Sequence, residues 1–491
     1  MKLNPLSIPY RLAQQGGAIG LVVLFVFFGP TASEGPAGAV VGLVLAVAVL
    51  AAVAAWQVAY FRRFEYDLTA ETFDIASGVL SRRRREIPYR RIQNVDIAQN
   101  PIHRILDLAE VRLETAGGNE SEARLQYVSA AEAERLQDEV GRRKRATVGE
   151  TGEEGAAEEA PAETELFALR NEELWVLGAV TADLRLLGIV ATVAPFVAPA
   201  ILEDIDPGLN LLLAGGAVLA LITVLALWVV SGAYAIMRYY GFRLFERGEE
   251  LRYERGLLQR YSGSIPLEKV QTVSLAENVL ARRLGYASVR IGTAGYAPGQ
   301  TQGQRVQSAV PIAKRNRALS LARQVEPFGD LDFERPPKRA RWRYLVRYSL
   351  VVLVLVALLG AGHALTDALS WWPAGLVLLL AVPPGAHLKW ANLGYTLGDE
   401  HVVTRHGFWV RKTTVVPYHR VQTVMRSRTV FQRRRDLGTL VVDTASGGGL
   451  GGSDAVALDL DASRAADLIE RVEARLQAAL TTRRTEPAET G

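Results

Sequence analysis

Hydrophobic and polar positions alternate along this chain on two scales. On the long scale, six windows carry no Asp, Glu, Lys or Arg: 12–33, 35–61, 186–202, 207–237, 348–366 and 368–388. A helix needs about 20 mostly apolar residues to cross the hydrocarbon layer, so each window predicts a membrane span. The third is short and extends through Leu184, with Arg185 reaching back to the interface. The spans fall into three hairpins with short connections. The alternative for the first window is a cleaved leader with Lys2 and Arg11 as its basic region. It is disfavoured because the same hairpin recurs twice further on.

Charge orients these hairpins. Their connections hold Glu34, then Glu203, Asp204 and Asp206, then Asp367, with no Lys or Arg. The opposite ends carry Arg62, Arg63, Arg238, Arg343, Arg347 and Lys389 among others. Basic residues stay on the cytoplasmic side, which predicts both termini and every large polar segment to be cytoplasmic, in a prokaryotic inner membrane. The spans contain few ionisable groups, His363 being the main one, which disfavours a solute pathway.

On the short scale the polar segments repeat. "IPYRRIQNV" at Ile87 matches "IPLEKVQTV" at Ile265 and "VPYHRVQTV" at Val416. The prolines are Pro88, Pro266 and Pro417; Gly78, Gly256 and Gly407 precede them, and Gln93, Gln271 and Gln422 follow. Each glutamine is followed at one spacing by a Thr-Ala pair, at Thr115, Thr293 and Thr444. Landmarks recurring at fixed spacing are the signature of duplicated structural units. Within each unit, period-two alternation broken by glycine predicts β-hairpins, as in "FEYDLTAETFDIASGVL". A helix closes each unit. Ser129 and Glu132 are spaced as a capping box, and Leu136 and Val140, Leu321 and Val325, and Leu468, Val472 and Leu476 form apolar stripes.

The expected organisation is a transmembrane hairpin (12–61), a unit (62–142), an acidic disordered linker (143–165), an interfacial helix (166–183), a second hairpin (184–237) and unit (238–326), a linker (327–343), a third hairpin (344–388) and unit (389–480), and a tail (481–491). The fold class is a membrane protein of α + β type. Each hairpin of spans is followed by a pleckstrin-homology-like (PH-like) β-sandwich or barrel with a C-terminal helix.

Composition narrows the chemistry. The chain has 491 residues, a net charge of +4 and no cysteine. Disulfides and thiol chemistry are excluded, and no polycationic character points to nucleic acid. Protease, hydrolase and phosphate-loop motifs are absent. "GGGLGG" at Gly447 has no following Lys-Ser/Thr and reads as a hairpin loop. His401, His406 and His419 do not converge by strand geometry and read as ordinary strand histidines. Asp443 stands where the other units have Glu114 and Gly292, so no shared catalytic acid exists. The reading is not an enzyme, with no cofactor and no metal.

The glycine, the I/V-P-x-x-x-I/V-Q-x-V core and the later Thr-Ala-glycine turn resemble the bacterial PH-like domain of membrane-associated type. Paired spans before each of three such domains resemble the YdbT-like multi-pass membrane proteins, over nearly the whole chain. That resemblance implies no catalytic residues or ligand set. It implies a loose link to envelope stress and protection against membrane-active peptides, and a small partner with two spans and one such domain. Longer turns at 295–304 and 446–454 depart from the pattern and imply that the three units need not bind alike.

The binding candidates are basic. "SRRRRE" places Arg82, Arg83, Arg84 and Arg85 on a hairpin; Arg282 and Arg283, and Arg433, Arg434 and Arg435, are analogues in the other units. Near an anionic leaflet each contributes about 1 kcal/mol, so membrane lipid is one expected partner. A solvated cationic face is the plain alternative. The functional expectation is a membrane-anchored scaffold whose units bind one another, the leaflet, a partner protein or a second copy. The rivals are a transport or efflux component and a sensor of lipid state. Finally, Ile92 and Val95 are three apart, as are their equivalents, so one face can hold both only if the strand bends. The glutamine between them is expected to bond backbone at that bend.

Overall fold

The computed structural model describes residues 4, 5, 7, 9, 35–115, 123–148, 163–181, 207–294, 306–366, 372–446 and 455–485. Repeat 1 contains β1 (Glu65–Leu68), β2 (Thr72–Ser77), β3 (Arg83–Pro88), β4 (Ile92–Gln99), β5 (Leu108–Thr115) and β6 (Ala123–Ser129), after helix α1 (Gly35–Arg63). Short helix α2 (Pro101–Ile105) joins β4 to β5, and α3 (Ala130–Val148) closes the repeat. Next come β7 (Thr164–Ala168), α4 (Asn171–Thr181) and α5 (Pro207–Tyr239). Repeat 2 has β8 (Arg243–Arg247), β9 (Glu250–Arg255), β10 (Arg260–Pro266), β11 (Val270–Asn278), α6 (Val279–Arg283), β12 (Tyr286–Thr293), β13 (Val306–Lys314) and α7 (Arg315–Val325). After α8 (Ala340–Thr366) and α9 (Val382–Ala391), repeat 3 has β14 (Gly394–Leu397), β15 (His401–His406), β16 (Val410–Pro417), β17 (Val421–Ser427), α10 (Val430–Arg433), β18 (Leu437–Thr444), β19 (Ala455–Asp461) and α11 (Ala462–Thr485). By contacts the chain forms two compact units, residues 1–162 with 252–264, and residues 163–251 with 265–491.

The repeated motif is the hinge between two antiparallel sheets. Pro88, Pro266 and Pro417 end β3, β10 and β16 in extended conformation, and a one-turn 3-10 helix follows each (Tyr89–Arg91, Leu267–Lys269, Tyr418–Arg420). The next strand then bulges. Its register slips between Ile92 and Asn94, between Val270 and Thr272, and between Val421 and Thr423. The glutamine is therefore the extra residue of a β-bulge in all three repeats, which turns Ile92 and Val95 to the same core. Thr115, Thr293 and Thr444 end the neighbouring strand directly opposite Ile92, Val270 and Val421. The expected backbone bond is not found: among the described residues no such bond is made by Gln271, which is buried, or Gln422, which is exposed. The side chain of Gln93 lies outside the described residues. The bulge leaves its residue unpaired in the ladder, so the side chain follows whatever covers that strand.

Gly78, Gly256 and Gly407 have φ of +110°, +110° and +96°. A Cβ there would collide with the carbonyl oxygen three residues on, at Ser81, Gln259 and Val410. Only glycine makes this hairpin turn. The two sheets of repeat 1 share one core that includes Phe73, Tyr89, Ile92 and Leu113, and α3 lays Leu136 and Val140 into it. In repeat 3, Leu468 and Val472 of α11 do the same against Tyr418 and Val442. Each such side chain contributes about 1.5–3 kcal/mol on burial. This sandwich with its closing helix is the expected PH-like unit.

Three helical segments of the described residues are long and apolar enough to span: Leu43–Arg63, Ala340–Leu365 and Trp372–Ala391. Windows 12–33 and 186–202 lie outside the described residues. In the third hairpin α8 packs on the returning segment through glycines: a Cβ at Gly360 would meet the Trp372 ring at 3.2 Å, and one at Gly375 would meet Val356 at 3.0 Å. The returning segment is a 3-10 helix (Trp372–Ala381) before α9, and Pro383 and Pro384, in the first turn of α9, supply no N–H to the turn before it. Two expected boundaries move. Helix α3 continues six residues past 142, to Val148. Segment 166–183 is not one helix: β7 pairs with β8 first and α4 follows.

Candidate functional site

The sheets do not stop at repeat boundaries. Repeat 2 lies 178 residues after repeat 1 (Pro88 to Pro266), and repeat 3 a further 151 (Pro266 to Pro417). In the first compact unit, β10 of repeat 2 pairs antiparallel with β4 of repeat 1, setting Arg260 opposite Gln99, Tyr261 opposite Ala98 and Ser262 opposite Ile97. In the second, β16 of repeat 3 pairs with β11 of repeat 2, setting Arg411 opposite Glu277, Lys412 opposite Ala276 and Thr413 opposite Leu275. Arg411 is the equivalent of Arg260, and Glu277 of Gln99. The two joins therefore use one register.

The side chains differ around this common frame. In the first join Asp96 is buried. It accepts from Asn94 Nδ2 at 2.8 Å and from the Tyr261 hydroxyl. Ser264 Oγ bonds Asn94 Oδ1 at 3.1 Å. Gly263 is required there, since a Cβ would sit 2.7 Å from Asp96 Oδ1 and 2.6 Å from the Tyr253 hydroxyl. In the second join Glu277 is buried between two cations. Arg411 Nη2 lies 2.7 Å from Oε2 and Arg315 Nε 3.2 Å from Oε1. Removing one partner of such a buried pair leaves the other charge uncompensated, which is costly.

A third element recurs. The turn after β4 and β11 is capped by Asn100 and Asn278, whose side chains accept from His103 N and Ala281 N, both at 2.7 Å. The short helix then presents an arginine to the neighbouring repeat. Arg104 Nη1 donates to the Leu257 carbonyl at 2.7 Å, and Arg282 Nη1 to the Phe408 carbonyl at 3.3 Å. Leu257 and Phe408 are equivalent residues, so this is one contact made twice. Burial, with Arg411 close by, lowers the Arg282 pKa from its ordinary value.

The predicted basic residues thus separate. Arg282, expected to face lipid or a partner, is engaged with repeat 3; it is a join residue, because the short helix points along the sheet toward the next hairpin. Arg283 is exposed beside it. Arg82, just before β3, and Arg83, Arg84 and Arg85 on it are exposed, and Arg84 meets Asp74 at 3.2 Å and Glu86 at 3.3 Å. Arg433 and Arg434 are exposed, and Arg435 is half-buried. Sequence reasoning missed Arg104, Asn100, Asn278, Asp96, Tyr261 and Glu277. The exact spacing of 178 from Arg104 to Arg282 was the available signal. His401 is buried and paired with Glu326 at 2.7 Å, a satisfied strand histidine, and among the described residues no His/Asp/Glu group could hold a metal. At the base of the third hairpin, a cavity of about 520 Å³ is lined by Lys338, Arg339, Arg341, Trp342 and His387.

Comparison with known proteins agrees with this architecture. The bacterial PH domain profile matches three times, at residues 19–144, 185–328 and 349–476. The chain is also similar to the UPF0699 transmembrane protein YdbT of Bacillus subtilis (strain 168), at 25% identity over 454 residues, covering 88% of this chain and 84% of that protein. No solved structure gives a significant match. The chain is a membrane protein with apolar helices and three repeats, and it belongs to the bacterial PH domain family.

Proposed function

We propose that this is a non-enzymatic membrane-anchored assembly protein whose PH-like repeats serve to bind strand edges, first one another's and then a partner's. Six spans in three hairpins would hold the repeats on the cytoplasmic face of a prokaryotic inner membrane. The observation that carries the reading is the repeated join: two pairs of repeats, with different side chains, meet in one register and through one arginine contact. Tethering on one chain raises the effective concentration of each edge for the next. A role in envelope stress or in protection against membrane-active peptides fits an assembly of this kind.

The absence of cysteine makes the test clean. Cysteines replacing Ala98 and Tyr261, which are cross-strand partners, should form a disulfide within one chain in native membranes under mild oxidation. So should a pair replacing Ala276 and Lys412. If neither pair closes, the repeats do not join and the reading fails.

A second reading is supported by the cavity at the base of the third hairpin. Its three cations and Trp342 suit an anionic headgroup at the interface, and the exposed β3 arginines would add leaflet contact. Native mass spectrometry should show phosphatidylglycerol retained by the purified chain and lost in a Lys338→Ala/Arg341→Ala variant. Equal retention in both removes this reading.

A further inference from the structure

Among the described residues, two strands carry the features of a join and have no strand on that edge. Among the described residues, β17 pairs only with β18 and β3 only with β2. Their equivalents, β4 and β11 on one side and β10 and β16 on the other, are all used in joins. The exposure follows. Of the nine residues of β11 the first eight are buried, whereas on β17 only Val421 is. Met425 is 44% exposed where its equivalent Ser274 is 3% exposed. The short-helix arginine is present too. Arg433 is the equivalent of Arg104 and Arg282, its helix is capped by Thr429 as theirs are by Asn100 and Asn278, and it is exposed. Beside it Phe431 is 58% exposed. An edge of this kind is a template for another strand.

We infer that β17, with Arg433, is an open docking edge for the strand edge of a second polypeptide that carries acidic side chains at alternate positions. This rests on the assembly reading above. The repeated register determines which positions would meet. Carried onto β17, it sets the partner's equivalents of Arg411 and Thr413 opposite Arg428 and Arg426. Both are cationic, Arg428 with an ion pair to Asp436 at 3.3 Å on one side of its guanidinium, and Arg426 most of all favours an acidic residue opposite. Arg433 would take the carbonyl at the tip of the partner's hairpin.

The same register disfavours a second copy of this chain. The free strand of the β10 type here is β3, and it would place Arg82 opposite Arg428 and Arg84 opposite Arg426. Like charges directly opposite are unfavourable. The Val79 carbonyl, equivalent to Leu257 and Phe408, already accepts from Arg63 of its own chain. Edges that match in shape but repel in charge block head-to-tail growth while leaving the site open to an acidic strand.

The test uses the full chain in nanodiscs and a backbone-cyclised hairpin peptide copying residues 401–417, in its native sequence and with Arg411→Glu and Thr413→Glu. Anisotropy should show the acidic peptide binding more tightly than the native-sequence peptide by about tenfold, since one cross-strand pair turns from repulsive to attractive and a second, neutral before, becomes attractive. On an Arg426→Glu/Arg428→Glu chain the order should reverse. That variant should also associate into two or more copies by mass measurement, and Arg82→Glu/Arg84→Glu added to it should return it to one. The inference falls if the peptides bind both chains alike, if the unaltered chain already associates through β17, or if neither peptide binds and the charge-reversed variant stays single. Disulfide closure of the Ala98/Tyr261 pair separates these failures from failure of the assembly reading, because it reports the internal join without β17.

Discussion

Glu277 is where the join between repeats 2 and 3 should be most sensitive. Its side chain is 4% exposed, and it meets Arg411, 19% exposed, and Arg315, 50% exposed. Glu277→Gln keeps shape and one acceptor but removes the charge. Breaking a buried pair costs about 3–5 kcal/mol. Here the half-exposed Arg315 recovers water, and the glutamine oxygen still accepts one bond from Arg411, so about 2–3 kcal/mol is expected. If that energy is spent on local opening, the amides of β11 and β16 should exchange about 30–150 times faster. Hydrogen exchange with mass spectrometry on the full chain in nanodiscs reads this directly, with β17–β19 as the internal reference. Arg411→Ala alone should give a similar acceleration, and the double variant should be clearly less than additive. Unchanged exchange in β11 and β16, or equal acceleration in β17–β19, would refute the argument that this carboxylate holds the join.

Other consequences are simpler to check. Gly256→Ala forces a side chain into a φ of +110° and onto the Gln259 carbonyl; a loss of about 2–3 kcal/mol is expected in denaturant unfolding, whereas Gly329→Ala, with nothing near its Cβ position, should be nearly neutral. Arg104→Ala removes an exposed charge-assisted bond to Leu257, worth about 0.5–1 kcal/mol, and should slow closure of the Ala98/Tyr261 cysteine pair without touching the Ala276/Lys412 pair. His406 is pushed down to about 4 by burial and then by Lys412 and Lys389. Its folded pKa lies below the unfolded value near 6.5, so the unfolded chain binds the proton first as pH falls. The contribution of neutral His406 is present above about 6.5 and is lost on going down toward 4, on the order of 3 kcal/mol in all. Thermal unfolding between pH 7 and 4 should show this decline, and His406→Gln should flatten it.

The repeats, and the parts each is made from, were legible in residue spacing alone. Proline, glutamine and glycine recur because each answers a backbone requirement inside one repeat: an extended exit from a strand, a bulge, and a positive φ. Such requirements are local, so spacing alone reveals them. Apolar windows are equally local, since a span must satisfy its own backbone and face lipid along its whole length. The helix stripes of Leu136 and Val140, and of Leu468 and Val472, were legible for the same reason.

Which arginine does what depends on how the sheets are assembled. Arg282 and Arg433 occupy the same position on the same short helix, and no property of either residue separates them. One is engaged and the other exposed, because β11 carries a strand on both edges, whereas among the described residues β17 pairs on one edge only. Glu277 reads as an ordinary strand carboxylate until β16 and α7 bring Arg411 and Arg315 to it from 134 and 38 residues away. Edge pairing is made by backbone groups that every residue carries, and so it leaves little trace in side-chain pattern. The register that joins the repeats, and the edge left over at the end of them, exist only once the sheets are assembled.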